Sequence, residues 1–268
     1  DEIARFIVTP GVSHIVDFAE GQVKFIGTSI ESDSPLAGKL LSEVQVPSTL
    51  VVAIFRNGTM LIPKGEDQIK VGDKLFLLTR SEAMQLLLPL LRREQFPEAK
   101  KVTVLSGSRV SQYLAERLAG VNIDVTIVEP EEARCRQLAE RLEHALVIQG
   151  DYTDEQLLED EGAFDTDAFV TTTPEEGVNL LMGLVAKRRN VRNVIAVLKR
   201  KEYVPLALSV GVDIAIDERR VLADTILKFL RRANMLSVAT LLDNKAEAIE
   251  MEVTPTSKCV DRPLKKLR

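Results

Sequence analysis

The chain has 268 residues, 45% of them hydrophobic and 28% charged, with a formal net charge of −5. That suits a globular protein of two modest domains with real cores, and the acidic balance argues against a nucleic-acid partner, which normally meets a basic face. No apolar run approaches the roughly 20 residues of a membrane helix, and Cys135 and Cys259 are too few for a disulfide framework or a zinc site, which points to a reducing compartment.

The chain opens at Asp1 without an initiator Met or a signal-peptide pattern and closes just after Asp261-Arg262-Pro263, so both ends are expected to be cut from a longer protein. Residues 1–80 predict a small α+β lobe. Ile15–Phe18 and Gln22–Ile26 are strand candidates, and Ser34-Pro35 is expected to open a short helix with Ser34 as its cap. Leu50–Phe55 and Thr59–Ile62 flank Arg56-Asn57-Gly58, whose Asn-Gly pair is a strong hairpin signal. A turn at Val71-Gly72-Asp73 precedes a strand at Lys74–Leu78. Residues 81–100 predict a helical linker, in which Leu86–Leu91, interrupted by Pro89, fits either a core or a dimer contact.

Residues 101–232 alternate strand and helix patterns, which predicts a parallel sheet covered on both faces. Strands are expected at Val102–Leu105, Val125–Val128, Ala145–Gln149, Ala168–Thr172, Val194–Val197 and Asp213–Ile216. Pro130 is expected to start one helix, a capping box at Thr153–Gln156 a second, and Thr173-Pro174 a third running to Arg189. Glu218–Arg232 predicts an exit helix with Val221, Leu222, Thr225, Ile226 and Phe229 on one face. Ala246–Leu267 echoes Gly21–Leu40, each closing on a Pro-Leu pair, and Ile226–Leu230 echoes Ala4–Val8. The period of roughly 230 residues implies a two-part unit repeated, with residues 233–268 opening a second small lobe.

The most informative stretch is Val102–Gly150, which has the punctuation of a mononucleotide-binding βαβ unit. In a dinucleotide fold the first turn carries G-x-G-x-x-G, and an acid about 20 residues on binds a ribose hydroxyl. Here the turn reads Ser106-Gly107-Ser108-Arg109-Val110-Ser111 and the acid is Glu129. The acid is in place, but serine stands at all three fingerprint glycines.

In this order of elements the chain resembles the regulatory subunit of Trk-type potassium uptake systems, built from Rossmann-like RCK (KTN) lobes and small C-terminal lobes. The resemblance rests on Gly150-Asp151-Tyr152-Thr153-Asp154 with Leu157-Leu158-Glu159, and on Asp167-Ala168-Phe169-Val170. Ile195-Ala196-Val197 with Glu202-Tyr203, Gly211-Val212-Asp213, and Ser34-Pro35-Leu36-Ala37-Gly38-Lys39-Leu40 also match. It covers essentially the whole chain and implies that a first Rossmann lobe and most of a second small lobe are missing.

The resemblance implies an α/β Rossmann-like parallel-sheet domain flanked by small α+β lobes. It also implies a homo-oligomer, from dimer to tetrameric ring, in the cytoplasm at the inner face of the membrane. Such a gating ring sits beneath a potassium-conducting membrane subunit and responds to NAD(H) or to ATP/ADP. On the family pattern the phosphate turn is Ser106, Gly107, Ser108, Arg109 and Val110, the ribose acid is Glu129, and the adenine edge is near Asp151 and Tyr152. The loop after the fourth strand falls on Thr171 and Thr172, and a basic residue after the fifth on Lys199. Serine departs from the family at positions 106, 108 and 111, where glycine permits a tight turn, a close backbone approach and close helix packing.

Each site residue has a plainer reading beside the functional one. Glu129 before Pro130 also suits a helix start, Arg109 suits a solvated helix start, Asp151 caps a turn, and Thr171–Thr173 is a strand end with a helix cap. His14 and His144 lack ligand-spaced partners, and Cys135 reads as packing. Three functions remain: a non-catalytic nucleotide-responsive regulator, a structural lobe that has lost its ligand, and an NAD-dependent oxidoreductase. The last lacks a proton donor in a promising constellation and a substrate domain.

Overall fold

A computed structural model describes residues 2–9, 12, 14–91, 99–230, 235–241 and 246–263. After helix α1 (Glu2–Val8) come strands β1 (His14–Phe18), β2 (Val23–Ser29), β3 (Thr49–Arg56), β4 (Thr59–Leu61) and β5 (Lys74–Arg80). They form an antiparallel sheet in the order β1-β2-β5-β3-β4. The hairpin between β3 and β4 turns on Asn57 (φ +49°) and Gly58 (φ +81°), the pair of left-handed residues that a two-residue turn demands. Strand alternation splits the side chains between two clusters. Phe18, Phe25 and Phe76 stack on one face, while Ile26, Ile54, Leu75 and Leu77 line the other. Helix α2 (Met84–Leu91) covers the second face with Met84, Leu87 and Leu91.

Two expectations change here. Ser34-Pro35 opens a turn rather than a helix: Ala37 N–H reaches Ser34 O, and Gly38 at φ +83° then turns the chain away. Residues 81–91 are part of the small lobe's core rather than a linker, because burying three apolar side chains outweighs leaving a short helix in solvent. The rest of the expected linker, 92–98, lies outside the described residues.

The larger unit runs β6 (Lys101–Leu105), α3 (Arg109–Ala119), β7 (Asp124–Glu129), α4 (Glu132–Arg141), β8 (Ala145–Gln149) and α5 (Glu155–Asp160). It continues β9 (Ala168–Thr171), α6 (Glu176–Arg188), β10 (Asn193–Leu198), α7 (Tyr203–Ser209), β11 (Ile214–Asp217) and α8 (Glu218–Leu230). All six strands are parallel, in the order β11-β10-β9-β6-β7-β8. Both faces are buried: Val102, Val104 and Ile195 belong to one core, and Leu105, Val194, Ala196 and Leu198 to the other. This is the expected α/β architecture. Local starts differ from expectation: Asp154, not Thr153, caps α5 through Gln156 and Leu157 N–H, and α6 begins at Glu176.

Helix α1 touches the sheet it precedes through Arg5, which bonds Ile15 O and Asp17 of β1, but its apolar face packs elsewhere. Ile3, Ala4, Phe6 and Ile7 share a core with Leu114 and Leu118 of α3 and with Ile195 and Ile216 of the parallel sheet. The boundary expected for a lobe of residues 1–80 therefore does not follow the packing at either end. A final hairpin, β12 (Met235–Leu241) with β13 (Ala246–Met251), meets the small lobe, where Ala19 N–H donates to Glu250 Oε1 at 2.7 Å. On α8, Val221 packs inward while Leu222 and Ile226 are exposed, and the side chain of Phe229 lies outside the described residues.

Candidate functional site

The strand order reverses between β6 and β9, and ligands of open α/β sheets bind beyond the carboxyl ends at that switch point. Leu105 ends β6 beside Thr171 at the end of β9. The chain leaves β6 through Ser106, whose φ of +79° is a conformation that glycine adopts freely and serine rarely. Its N–H donates to Val128 O at 2.8 Å, which fixes the turn to β7. Gly107 follows with no room for a side chain: a Cβ there would lie 2.4 Å from Leu138 Cδ1. Ser108 is the N-cap of α3 and accepts from Ser111 N–H. Arg109 and Val110 occupy the exposed first turn, whose amides have no intrahelical acceptors.

The serines meet Thr172 from the next loop. Ser108 Oγ lies 2.9 Å from Ser111 Oγ and 3.3 Å from Thr172 Oγ1, and Ser111 Oγ lies 2.8 Å from Thr172 Oγ1. Ser111 also donates to Ser106 O at 2.5 Å, and Thr172 to Leu105 O at 3.0 Å. A knot of hydroxyls thus closes the turn.

Glu129 ends β7 and is 2% exposed. Its Oε2 accepts from Gly107 N–H at 2.6 Å and its Oε1 from Glu131 N–H at 3.1 Å. Arg134 of α4 comes within 3.7 Å of the same carboxylate and pairs more closely with Glu131, at 3.2 Å. The acid expected for a ribose therefore also joins the phosphate turn to the start of α4. Behind it, the Cys135 thiol donates to Glu129 O; burial, and then the Glu129 charge, raise its pKa.

Asp151 and Tyr152 follow β8. The Thr153 amide, then the Thr153 hydroxyl, bond Asp151 and lower its pKa, so it is an exposed, firmly ionised turn former. Tyr152 packs its ring against the second core and points its hydroxyl at Glu175, 3.4 Å away; burial and then the Glu175 charge raise its pKa.

On the β9–β10 side the groups bond one another. Thr171 is fully buried and donates to Asn179 O. Asn179 Oδ1 accepts from Thr173 N–H and Oγ, and its Nδ2 donates to Thr173 O and Val197 O. Lys199 donates through Nζ to Pro174 O at 2.6 Å, while Glu176 accepts from the amides of Lys199 and Arg200 and pairs with the Arg200 guanidinium.

The structure thus brings Ser106, Gly107, Ser108, Arg109, Val110, Glu129 and Thr172 around one crevice and sets Asp151 and Tyr152 at the adjacent strand end. Thr171 is closed in beneath, and Lys199 follows β10, one strand beyond β9. Sequence reasoning did not select Arg134, Glu176 or Asn179. Asn179 had a signal, since it stands on the same helical stripe as buried Met182 and Ala186. Among the described residues no group of three or more His, Cys, Asp or Glu side chains is placed to hold a metal ion.

The TrkA-N domain family matches residues 102–218 and the TrkA-C domain family residues 28–92. The TrkA homolog 2 of Methanosarcina mazei, a Trk system potassium uptake protein, is 34% identical over 269 residues, covering 100% of this chain and 60% of its own. The chain belongs to the TrkA family. The TrkA protein of Halomonas elongata, likewise a Trk system potassium uptake protein, is 31% identical over 98% of this chain and 59% of its own length. This TrkA-family chain therefore spans about three-fifths of the length of those relatives. The GsuK RCK domain superposes with a TM-score of 0.60 at 16% identity, over 85% of this chain and 50% of its own. The GsuK channel bound to NAD gives 0.61 at 17%, over 85% and 42%. At these identities the two structures show a shared fold.

Proposed function

We propose that this chain is a regulatory, non-catalytic portion of a potassium uptake system, and that its Rossmann-like unit binds a nucleotide, NAD(H) or ATP/ADP, at the switch point. The carrying observation is the placement of Ser106–Ser111, Glu129 and Thr172 at the reversal of strand order in a TrkA-N domain. The first turn of α3 offers amides and Arg109 to a phosphate, while Glu129 and Tyr152 offer a ribose acceptor and an aromatic edge. Occupancy biases the shape of an oligomeric ring at the cytoplasmic side of a potassium-conducting membrane subunit, through the ligand's differential affinity for two arrangements.

A ligand-free assembly lobe is the second reading, favoured by the two amides that already serve Glu129. An oxidoreductase needs a proton donor or acceptor at the carboxyl ends of the strands. His144 instead precedes β8, at its amino end. Calorimetric titration with NADH, NAD, ATP and ADP tests the proposal: saturable binding of one of them supports it, and four flat traces with folded protein leave the assembly reading.

A further inference from the structure

The hydroxyl knot divides the crevice into two unequal halves. Three hydroxyls, those of Ser108, Ser111 and Thr172, make six contacts: three with one another, two with main-chain carbonyls, and one in which Ser108 Oγ accepts from Ser111 N–H. Each hydroxyl has one proton. All three protons are therefore committed within the knot, and none is available to an incoming phosphate or ribose oxygen. The Ser108–Thr172 contact also spans the line between β6 and β9, which a ligand reaching from one half to the other has to cross.

Beyond that line the second half is bonded to itself. The Thr173 amide and hydroxyl face Asn179, the Lys199 ammonium faces Pro174 O, and the Lys199 and Arg200 amides face Glu176. On the near side the groups are less committed. Arg109 is exposed and makes no ion pair among the described residues. Tyr152 is half-buried, and a cavity of about 340 Å³ between α3 and α4 is lined by Gln112, Arg134, Gln137, Leu138, Glu140 and Arg141.

We infer that Ser108 and Thr172 are specificity-determining residues that restrict this site to adenine mononucleotides and reject nicotinamide dinucleotides. The inference rests on the proposed nucleotide site. An adenosine diphosphate places its base and ribose on the near side, by Tyr152 and Glu129, and its terminal phosphate outward toward Arg109. A dinucleotide has to carry its second ribose past the Ser108–Thr172 contact, and then displace bonds that hold the β9 and β10 loops together.

The test is titration of the intact chain with ADP and with NADH, repeated on Ser108→Gly, Thr172→Ala and the double variant, with folding checked by circular dichroism. The native chain is expected to bind ADP at least about tenfold more tightly than NADH. In the double variant the ratio of NADH affinity to ADP affinity rises by about tenfold. NADH binding the native chain as tightly as ADP overturns this inference alone and leaves a nucleotide site. An unchanged ratio in a folded double variant also overturns it. If neither ligand binds the native chain, the inference and the nucleotide site fail together. Should the double variant not fold, the ratio of the two affinities in the native chain decides.

Discussion

Glu129 is the residue whose removal says most about how the crevice is built. Its carboxylate is buried and accepts from Gly107 N–H at 2.6 Å and Glu131 N–H at 3.1 Å. In Glu129→Ala both amides lose their acceptor, at about 1–3 kcal/mol each. Water entering the space of the lost side chain recovers part of this, which leaves a net loss of about 2–4 kcal/mol. For a unit of this size that corresponds to a fall of roughly 5–15 °C in Tm. Thermal unfolding followed by far-ultraviolet circular dichroism, with no nucleotide present, measures it. Glu129→Gln is expected to fall between, since an amide keeps one acceptor and turns a donor toward the second N–H. A Tm for Glu129→Ala within about 2 °C of the native value would refute the assignment of the carboxylate as a brace of the turn. The same reasoning makes Glu129→Ala an ambiguous binding variant, and Arg109→Ala, exposed and free of ion pairs among the described residues, the cleaner one.

Three further outcomes follow from the geometry. Gly107→Ala places a Cβ 2.4 Å from Leu138 Cδ1 and 3.1 Å from Glu129 Oε2; it should cost about 1–3 kcal/mol in urea unfolding, and much less in a Leu138→Ala background. An equal cost in both backgrounds refutes the close contact. Asn179→Ala removes four bonds that tie the β9 loop to α6 and β10; it should cost about 2–4 kcal/mol and speed amide exchange at Thr173, and a loss below about 1 kcal/mol would count against it. In the small lobe, burial alone would raise the Asp73 pKa, but the Arg56 guanidinium and the Lys70 amide outweigh burial and hold it below the ordinary value. A folded pKa below the unfolded one means stability that is present above about pH 4 and lost as pH falls through the folded value. Urea unfolding between about pH 5.5 and 3 should show this acid slope reduced in Asp73→Asn; an identical slope in the variant excludes Asp73 as its source.

Much of the fold was legible because its signals are local. The six parallel strands are short apolar runs between turn residues, and Asn57-Gly58 announces its hairpin whatever surrounds it. The crevice was legible for the same reason: spacing from Ser106 to Glu129 survives the replacement of glycine by serine. What escaped depends on contacts distant in sequence. Ser34-Pro35 opens only a turn because Gly38 and Lys39 bond the main chain of Ile69, some thirty residues on. Asn179 stands out only as a polar residue on a buried helical stripe, and its bond to Val197 O needs β10 to be brought to it. Thr172 was selected as a loop residue, but its part in the knot required Ser108 and Ser111 to arrive from more than sixty positions away.

The least legible feature, the seat of α1, bears most directly on regulation. A nucleotide bound as proposed would touch the first turn of α3, and Leu114 and Leu118 on the inner face of that helix share a core with Ile3, Phe6 and Ile7. Helix α1 precedes β1 of the small sheet, so α3 and that sheet are joined through one short helix. To move a two-state equilibrium from one part in ten to ten parts in one, a ligand needs about a hundredfold preference, or about 2.7 kcal/mol. Burial of one large aliphatic side chain contributes about 1.5–3 kcal/mol. The fully buried Ile7 alone is therefore of the right size to distinguish two arrangements. A ligand that displaces α3 by enough to alter that single contact has the free energy to shift such an equilibrium, and one that leaves it unchanged has to act through another element.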